Sequence, residues 1–307
     1  MTKRFAVPAV LMFAAACASP DAGPTGVLPG AATASSAVLP DGAMPEGARV
    51  YMARGIARAS ASPFARNVNM TNHGGPILTS STTRAIFWGT TWTSSDPKIG
   101  GLDSWYQGYG GSNYAKTNTE YTASNGTVGA TSTYLGSTID NAAAPSSAPA
   151  TSAVLAEVCK VFPNPTAGAY YAVYATTKRG SAGYCAWHSS GTCGGKQIEF
   201  AWFFNLDGDS GCDPADATTG HSQGLAALAN VTGHELSETV TDPQLNAWYD
   251  RQGSENADKC AWTFNVASVS FPNGTNWKIQ GNWSNKAYTA GTGYPNSSGQ
   301  RGCLDGH

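Results

Sequence analysis

Residues 231–243, with the sequence VTGHELSETVTDP, place one histidine and two glutamates at spacings that suit metal chemistry. Positions i and i+4 of a helix lie nearly above one another, so His234 and Glu238 can reach the same ion. Imidazole and carboxylate groups are both good ligands for Zn²⁺. Glu235 lies one step round the helix, where it can act as a general base on a metal-bound water. The stretch therefore predicts a metal-binding helix that is equipped for hydrolysis.

Carboxylates are scarce in this chain, yet they cluster around the same stretch. The whole chain has 20 acidic residues, and six of them fall between residues 234 and 258: Glu235, Glu238, Asp242, Asp250, Glu255 and Asp258. The helix predicted over 221–242 is otherwise apolar or small, which indicates substantial burial. Burying a histidine and two glutamates without partners is costly, and a cation offsets that cost. An alternative without metal remains, in which His234 and Glu238 pair with each other and with Thr239 or Thr241.

A third ligand is expected from the segment 248–260, WYDRQGSENADKC. The pattern resembles the zinc-protease motif His-Glu-x-x-His with Glu238 in the second histidine position, followed downstream by a glutamate and an aspartate. We predict His234, Glu238 and Glu255 as ligands. Asp258 orients a ligand histidine through its other nitrogen, or is an alternative ligand. One imidazole and two carboxylates suit Zn²⁺, with Mn²⁺ or Ca²⁺ as alternatives.

Three other groups of residues could do chemistry. The segment 185–193 contains Cys185, His188 and Cys193, which could bind zinc, although a disulfide is favoured and His188 could still line a cleft. Residues 205–216 space their acidic side chains like a calcium loop, but Ser210 stands where such a loop needs glycine, so a polar turn is the plainer interpretation. Tyr249 could polarise a substrate carbonyl, or could simply pack in the core.

The first 17 residues have the pattern of a secretory signal peptide, with a basic start followed by a short apolar run. Cys17 is a possible lipid anchor, so the predicted location is extracellular, either secreted or lipid-anchored outside the cytoplasmic membrane. Six cysteines follow, which suggests three disulfides in an oxidising compartment. We expect Cys185 to pair with Cys193 across a turn, and Cys260 to pair with Cys303.

Residues 18–68 are rich in Ala, Pro, Gly and Ser and are predicted to be a disordered linker or pro-segment. The folded domain is expected over 69–307. Strands are predicted at 83–89, 131–136, 169–176 and 198–205, and helices at 98–110, 152–162 and 221–242. This order indicates a single zincin-like α/β domain with a mixed sheet, a central HExxE helix and disulfide staples. No later segment can cross a membrane, and the net charge of −2 without a basic stripe argues against nucleic acid.

Three blocks together resemble the EXORDIUM or phosphate-induced protein 1 family. They are NHGGPILTSSTTRAIFWG (72–89), YAVYATTKRGSAGYCAWHS (171–189) and TGHELSETVTDPQLNAWYD with the later ENADKC. The chain is therefore similar to bacterial secreted members over roughly residues 69–307. The resemblance implies an extracellular protein but no agreed biochemical activity, and it matches His73 to the family's opening histidine.

The function expected from these observations is a secreted metal-dependent hydrolase. It is most plausibly a zinc peptidase that acts on a peptide or protein substrate, with Glu235 as the base. The alternative is a non-catalytic secreted protein that binds a cell-wall glycan or a protein partner and holds a structural metal. Nine tryptophans and thirteen tyrosines suit stacking on sugars, and they suit a β-rich core equally well.

Overall fold

The computed structural model describes residues 1–2, 43–56 and 68–307 of the chain. The chain divides into two units, residues 1–35 and residues 36–307, and everything that follows concerns the second unit. Apart from residues 1–2, the predicted signal peptide and Cys17 lie outside the described residues, as does most of the predicted linker. Among the described residues, no helix is both long enough and apolar enough to span a bilayer.

The described residues of the second unit form fifteen short or medium strands, five helices and two single-turn 3₁₀ helices. In chain order the strands are β1 (Arg49–Met52), β2 (Thr71–Asn72), β3 (Ser81–Trp88), β4 (Thr122–Ala123), β5 (Gly126–Thr127), β6 (Ser132–Asp140), β7 (Tyr170–Lys178), β8 (Tyr184–Cys193), β9 (Lys196–Asn205), β10 (Trp248–Tyr249), β11 (Val269–Ser270), β12 (Asn276–Trp277), β13 (Asn282–Trp283), β14 (Tyr294–Pro295) and β15 (Arg301–Leu304). The helices are α1 (Pro97–Tyr109), α2 (Asn113–Lys116), α3 (Thr151–Val161), α4 (Gln223–Thr241) and α5 (Asn285–Thr289), and the 3₁₀ turns are Ser210–Cys212 and Asp258–Cys260.

A six-stranded mixed sheet with the order β1-β8-β9-β7-β3-β6 forms the core of the fold. The four strands from β9 to β6 run parallel to their neighbours, whereas β8 is antiparallel to both β1 and β9. Strands β7 and β9 are almost entirely buried, because helices cover both faces of a parallel sheet. Their continuous aromatic and apolar runs made these strands predictable. The predicted α/β class with a mixed sheet is confirmed.

Helices α1 and α4 cover one face of this sheet. The hydroxyl of Tyr174 on β7 lies 2.9 Å from the hydroxyl of Tyr106 on α1 and 2.7 Å from Oγ1 of Thr232 on α4. Helix α3 covers the other face, where Gly191 of β8 lies against Leu155. Side chains of a strand alternate between its faces, so His188, three positions before Gly191, points toward α4.

Helix α4 begins where Ser222 accepts a hydrogen bond from the backbone N–H of Leu225, an N-cap of the usual kind. It ends at Thr241, two residues before Pro243, as the sequence predicts. From Gly224 to Thr241 every residue is buried, because the sheet, α1 and the C-terminal segments surround the helix. Its polar side chains therefore have no access to water and must be satisfied by the protein or by a bound group.

Two predictions about local structure are wrong. Arg49–Met52, which we assigned to the linker, form the edge strand β1 antiparallel to β8, so the folded part begins before residue 69. Residues 185–193, which we expected to turn back on themselves, lie within the extended strand β8. The first six residues of β8 are buried without alternation, so the strand has no period-two signal, and its cysteines suggested a turn instead.

The six cysteines after Cys17 form three disulfides, and one of the two predicted pairs is present. Cys260 pairs with Cys303 as predicted. Cys185 pairs with Cys212, and Cys193 pairs with Cys159, so the predicted Cys185–Cys193 bond is wrong. The reason is geometric: eight residues along a strand separate the ends by about 26 Å, far beyond the reach of a disulfide.

Candidate metal centre

Three elements bring ionisable side chains together beneath the sheet. Helix α4 contributes His234, Glu235 and Glu238, and β8 contributes His188. The loop that leads into the second 3₁₀ turn contributes Glu255, and Asp258 begins that turn. The first five of these side chains have no exposed surface, and that of Asp258 is 6% exposed. His188 lies on neither α4 nor this loop, and the motif of residues 234–238 with its downstream acids did not identify it as a ligand.

Glu238 lies between the two imidazole rings. Its Oε1 is 3.0 Å from Nε2 of His234, and its Oε2 is 3.5 Å from Nε2 of His188. Two sets of donor atoms each lie within 4.8 Å of one another: His188, Glu235 and Glu238 in one set, and His234, Glu238 and Asp258 in the other. Among the described residues, neither set contains both imidazoles, and Glu238 is common to both.

The separations within these sets are those of atoms that could share an ion. Two ligands of a tetrahedral zinc with bonds of about 2.0 Å lie about 3.3 Å apart. The distances from Glu238 to the rings bracket this value, and Nε2 of His234 lies 3.6 Å from Oδ1 of Asp258. The 3.0 Å contact between His234 and Glu238 lacks the alignment of a hydrogen bond, since Nε2 has no hydrogen-bond partner.

Several buried polar atoms in the cluster have no hydrogen-bond partner in the protein. They are both carboxylate oxygens of Glu235, Oε2 of Glu238, Oε1 of Glu255, Nδ1 of His188 and Nε2 of His234. An unsatisfied buried carboxylate costs far more than an unsatisfied neutral group. The donor set of imidazole nitrogens and carboxylate oxygens fits a divalent cation such as Zn²⁺, and such an ion would satisfy these atoms.

The electrostatics of the cluster are those of carboxyl groups in a closed site. Burial raises the pKa of Glu235 well above its usual value, and the neighbouring charge of Glu238 raises it further. Burial likewise raises the pKa of Glu255. Burial by itself would raise the pKa of Glu238 too, but His234 and His188 outweigh it and lower that pKa. Burial without a cation therefore disfavours the charged forms of Glu235 and Glu255.

Two further buried carboxyl groups border the cluster. Oδ1 of Asp242 accepts the backbone N–H groups of Asn246 and Ala247, each at 2.6 Å, while burial raises its pKa and Oδ2 has no partner. Glu199 lies on β9, on the face of the sheet that carries His188, and burial raises its pKa to about 8. The sheet face beneath α4 is thus unusually rich in acid.

His234 has a well-defined environment on its other side. Nδ1 lies 3.1 Å from the side-chain nitrogen of Gln280, and the ring of Tyr51 stacks on the imidazole at 3.8 Å. Burial lowers the pKa of His234, but the charge of Glu238 and the nearby carboxyl of Asp258 raise it to about 10, so the carboxylates favour a charged ring. A doubly protonated ring would, however, set an N–H of its own against the N–H of Gln280 at Nδ1. The two effects disagree, and the direct contact at 3.1 Å favours a neutral ring with its proton on Nε2.

The partly exposed approach to the cluster is formed by Arg49, Tyr249 and His73, which we call the roof. Arg49 pairs with His188 across β1 and β8, and its Nε lies 3.8 Å from Oε2 of Glu255. The guanidinium lies 5.0 Å from the centre of the Tyr249 ring, which stacks on His73 at 3.6 Å. The Arg49 side chain is 27% exposed, whereas Glu255 beneath it is fully buried.

The structure brings the predicted site residues together but distributes them differently from the prediction. Glu255 contacts His188, with 3.2 Å between its Oε2 and Nε2, and it belongs to neither three-residue set. Asp258 approaches Nε2 of His234, while Gln280, 46 residues away, meets Nδ1. The predicted roles of Asp258, as an orienting residue or as an alternative ligand, therefore stay predictions.

The other sequence candidates have different surroundings. In the predicted calcium-like loop, Asp207 lies 2.6 Å from Nζ of Lys98, and Asp209 pairs with Arg179. Neither aspartate belongs to a set of described residues that could hold a metal. A pocket of about 550 Å³ lies at the C-terminal end, lined by residues such as Lys116, Arg301 and His307, and it includes none of the candidate ligands.

Comparisons with known proteins add no relative to this picture. No family model matches the chain, and neither the curated proteins nor the solved structures give a match.

Proposed function

We propose that this chain is an extracellular metalloprotein that holds a divalent cation, zinc in the first place, in the cluster around Glu238. One observation carries the proposal: four carboxylate oxygens of Glu235, Glu238 and Glu255 are buried without a partner, beside two imidazoles. A cation is the one group that satisfies such oxygens without a proton on each of them. The three disulfides agree with an extracellular location.

The geometry favours an ion that holds the fold together. Structural zinc sites are closed by protein ligands, whereas catalytic zinc sites keep one position open to water or substrate. Here His188, Glu235 and Glu238 have no exposed surface. The ion would join α4 to β8 and, through the segment that follows Glu255, to the C-terminal part of the chain. Its binding energy would then add to the stability of the fold.

The experiment is a metal count on the purified full-length chain by mass spectrometry, beside thermal unfolding before and after chelation. We expect about one divalent ion per chain, and a fall in Tm of about 10 °C or more when it is removed. Glu238→Gln should lose the ion. Glu157→Gln, which changes a buried glutamate on α3 at the opposite face, should keep it. A protein without metal, equally stable with and without chelator, would refute the proposal.

Hydrolysis is the second candidate function, and Glu235 is the observation that favours it. Both of its oxygens lack partners, and its raised pKa is typical of carboxyl groups that exchange protons in active sites. A bound divalent ion supplies Lewis acidity that polarises a peptide carbonyl. Glu235 would accept the proton of the attacking water and deliver it to the leaving amine. Arg49 and Tyr249 would have to move to admit a peptide.

The two functions separate in one comparison. Glu235→Gln should abolish cleavage of a broad peptide library if the protein is a peptidase. If the wild-type protein holds its ion and cleaves no peptide, only the structural role of the ion is supported. A truncated chain is unsuitable for this test, because β1 belongs to the sheet and supplies Arg49.

Membership of the EXORDIUM family and a zincin-like relationship both remain proposals. The three sequence blocks support the first, and the packing of α4 on a mixed sheet beside β8 agrees with the second. The glycan-binding alternative loses its main sequence argument. Seven of the nine tryptophans are buried, and Trp248 and Trp262 are half-buried with their indole N–H groups bonded to backbone carbonyls.

A further inference from the structure

We infer that the imidazole ligand of the ion is His188 of β8, in the set with Glu235 and Glu238, and that His234 of the motif helix is a positioning residue whose Nε2 proton faces Glu238. This inference rests on the proposed function, because it assigns ligands to the ion proposed there. It reverses the assignment that the spacing of residues 234–238 suggests. The argument depends on the direction of a chain of buried hydrogen bonds behind His234.

The orientation of the Gln280 amide is set by backbone groups. Its Oε1 accepts the backbone N–H of Trp262 at 3.0 Å. Its side-chain nitrogen donates to the backbone carbonyl of Ala257 at 2.8 Å. A rotated amide would set N–H against N–H at Trp262 and oxygen against oxygen at Ala257, and both contacts would be lost.

A second set of bonds agrees with this orientation. The backbone N–H of Gln280 donates to Oδ1 of Asn230 at 2.9 Å, which leaves the Asn230 nitrogen to donate to the Tyr51 hydroxyl at 3.2 Å. Tyr51 then donates its own proton to Oε1 of Gln280 at 2.5 Å. Each hydrogen bond in this series therefore has only one possible direction. The remaining N–H of Gln280 points at Nδ1 of His234, 3.1 Å away.

Nδ1 of His234 must therefore supply a lone pair. A neutral imidazole has one N–H and one lone pair, so the proton lies on Nε2. That nitrogen then has no lone pair for a metal. Histidines that ligate metals usually donate their other N–H to an oxygen, whereas Gln280 presents a donor at this place. The Nε2 proton faces Oε1 of Glu238 and, beyond it, Asp258.

His188 is not held by a fixed amide donor. Its Nε2 lies within hydrogen-bond distance of Oε2 of Glu255 at 3.2 Å and lies 3.5 Å from Oε2 of Glu238, while Nδ1 has no hydrogen-bond partner. Both contacts of Nε2 are carboxyl oxygens, which an ion bound at Nε2 would hold in place of a proton. Glu235, with both oxygens unpartnered, belongs to the same set as His188 and not to the set of His234. The two oxygens of Glu238 thus have separate surroundings: Oε1 accepts the backbone N–H of Asp258 and faces His234, while Oε2 faces His188 and would be the oxygen that holds the ion. One imidazole and two carboxylates neutralise a divalent charge.

The test replaces each histidine with glutamine, in two separate variants of the full-length chain. Glutamine can place an N–H near the position of Nε2, so His234→Gln should retain about one Zn²⁺ per chain with affinity reduced by no more than about 10- to 100-fold. His188→Gln should reduce the ion to undetectable levels after dialysis. Zn²⁺ titration of the metal-free proteins gives the affinities. The reverse result, binding kept in His188→Gln and lost in His234→Gln, overturns the inference.

A measurement on the unmodified protein covers the case in which a variant does not fold. The chain has five histidines, so long-range ¹⁵N–¹H spectra of the wild-type protein contain five imidazole patterns, which can be assigned through bonds without any variant. We expect the proton of His234 on Nε2 with and without Zn²⁺, and a shift of the Nε2 signal of His188 on Zn²⁺ addition. A proton on Nδ1 of His234, or two ions per chain, overturns the inference but leaves the metalloprotein proposal standing. A chain that binds no Zn²⁺, Mn²⁺ or Ca²⁺ overturns both.

Discussion

Helix α4 is flanked by two buried polar regions that solve the same problem in different ways. Around Ser237 the groups are neutral amides and hydroxyls. Asn282 donates to Ser237 and Thr117, and Asn256 donates to Asn118 at 2.7 Å, so the network closes on itself with Oδ1 of Asn282 unpaired. One residue further along the helix, the ionisable cluster around Glu238 leaves both oxygens of Glu235 without a partner. Two equally buried polar regions thus differ in how far the protein itself satisfies their hydrogen bonds.

The difference has a physical reason. An amide offers both donors and acceptors, so a few amides can satisfy one another without help. Carboxylates are only acceptors, and the two imidazoles supply too few protons for Glu235, Glu238 and Glu255 together. The shortfall must be met by added protons or by a cation. The neutral region is therefore part of the fold alone, while the ionisable region also requires something from outside the chain.

The largest expected effect comes from breaking the ionisable region at its centre. Glu238→Ala removes the residue shared by both candidate sets and leaves His188, His234 and the other carboxyls uncompensated. We expect the free energy of unfolding to fall by about 3–5 kcal/mol, measured by chemical denaturation of the variant beside the metal-loaded wild type. A loss below about 1 kcal/mol would mean that the ionisable region resembles the neutral one.

A smaller effect is expected in the neutral region. Asn256→Ala removes the donor to Asn118 and to the backbone carbonyl of Ser237. The unsatisfied acceptors should cost about 1–3 kcal/mol. The same loss should be measured by denaturation with and without chelator, since no ion acts there. A loss that depends on chelator would show that the two regions are one unit.

The pH dependence of the metal-free protein sharpens the contrast. Glu235 keeps its proton in the folded state well above the pH, about 4.3, at which an unfolded glutamate loses it. The folded state then binds more protons, so stability is fully present below that pH and falls as pH rises, by at most about 1.4 kcal/mol per unit for one proton. Glu235→Gln should reduce this slope in denaturation curves between pH 5 and 8. An unchanged slope would contradict the raised pKa.

The smallest effect is expected in a third, partly exposed region. Asp207 is 45% exposed and pairs with Lys98, and ion pairs of this kind are worth about 0–1 kcal/mol. Asp207→Asn should change the free energy of unfolding by no more than that, with or without added Ca²⁺. Stabilisation of the wild type by Ca²⁺ that is lost in this variant would revive the calcium-loop interpretation of residues 205–216.

Much of the fold could be read from local patterns. The aromatic strands β3, β7 and β9 and the helices α1, α3 and α4 all lie within two residues of their predicted bounds. Continuous apolar runs and N-caps are local signals, so one segment suffices to recognise them. Strands β1 and β8 were missed. Strand β1 follows a low-complexity stretch, and β8 contains two cysteines that suggested a turn.

Five of the six residues of the candidate site were visible in the same way. The i, i+4 spacing identifies His234 and Glu238, and the scarcity of acids elsewhere draws attention to Glu255 and Asp258. His188 was noted only as a residue that could line a cleft. Its place beside Glu238 depends on the packing of β8 against α4, and no local pattern encodes which strand a helix will cover.

The sequence by itself determined the α/β class, the main helix with its histidine and glutamates, and the Cys260–Cys303 pair. The tertiary structure decided which atoms face one another: His188 toward Glu238, Arg49 over Glu255, and the amide of Gln280 behind His234. The physical reason is distance along the chain. Spacing within a helix is fixed by its own geometry, whereas contacts between residues 46 to 229 positions apart, such as those that fix Gln280 against His234 and Tyr51, exist only once the sheet and helix have packed.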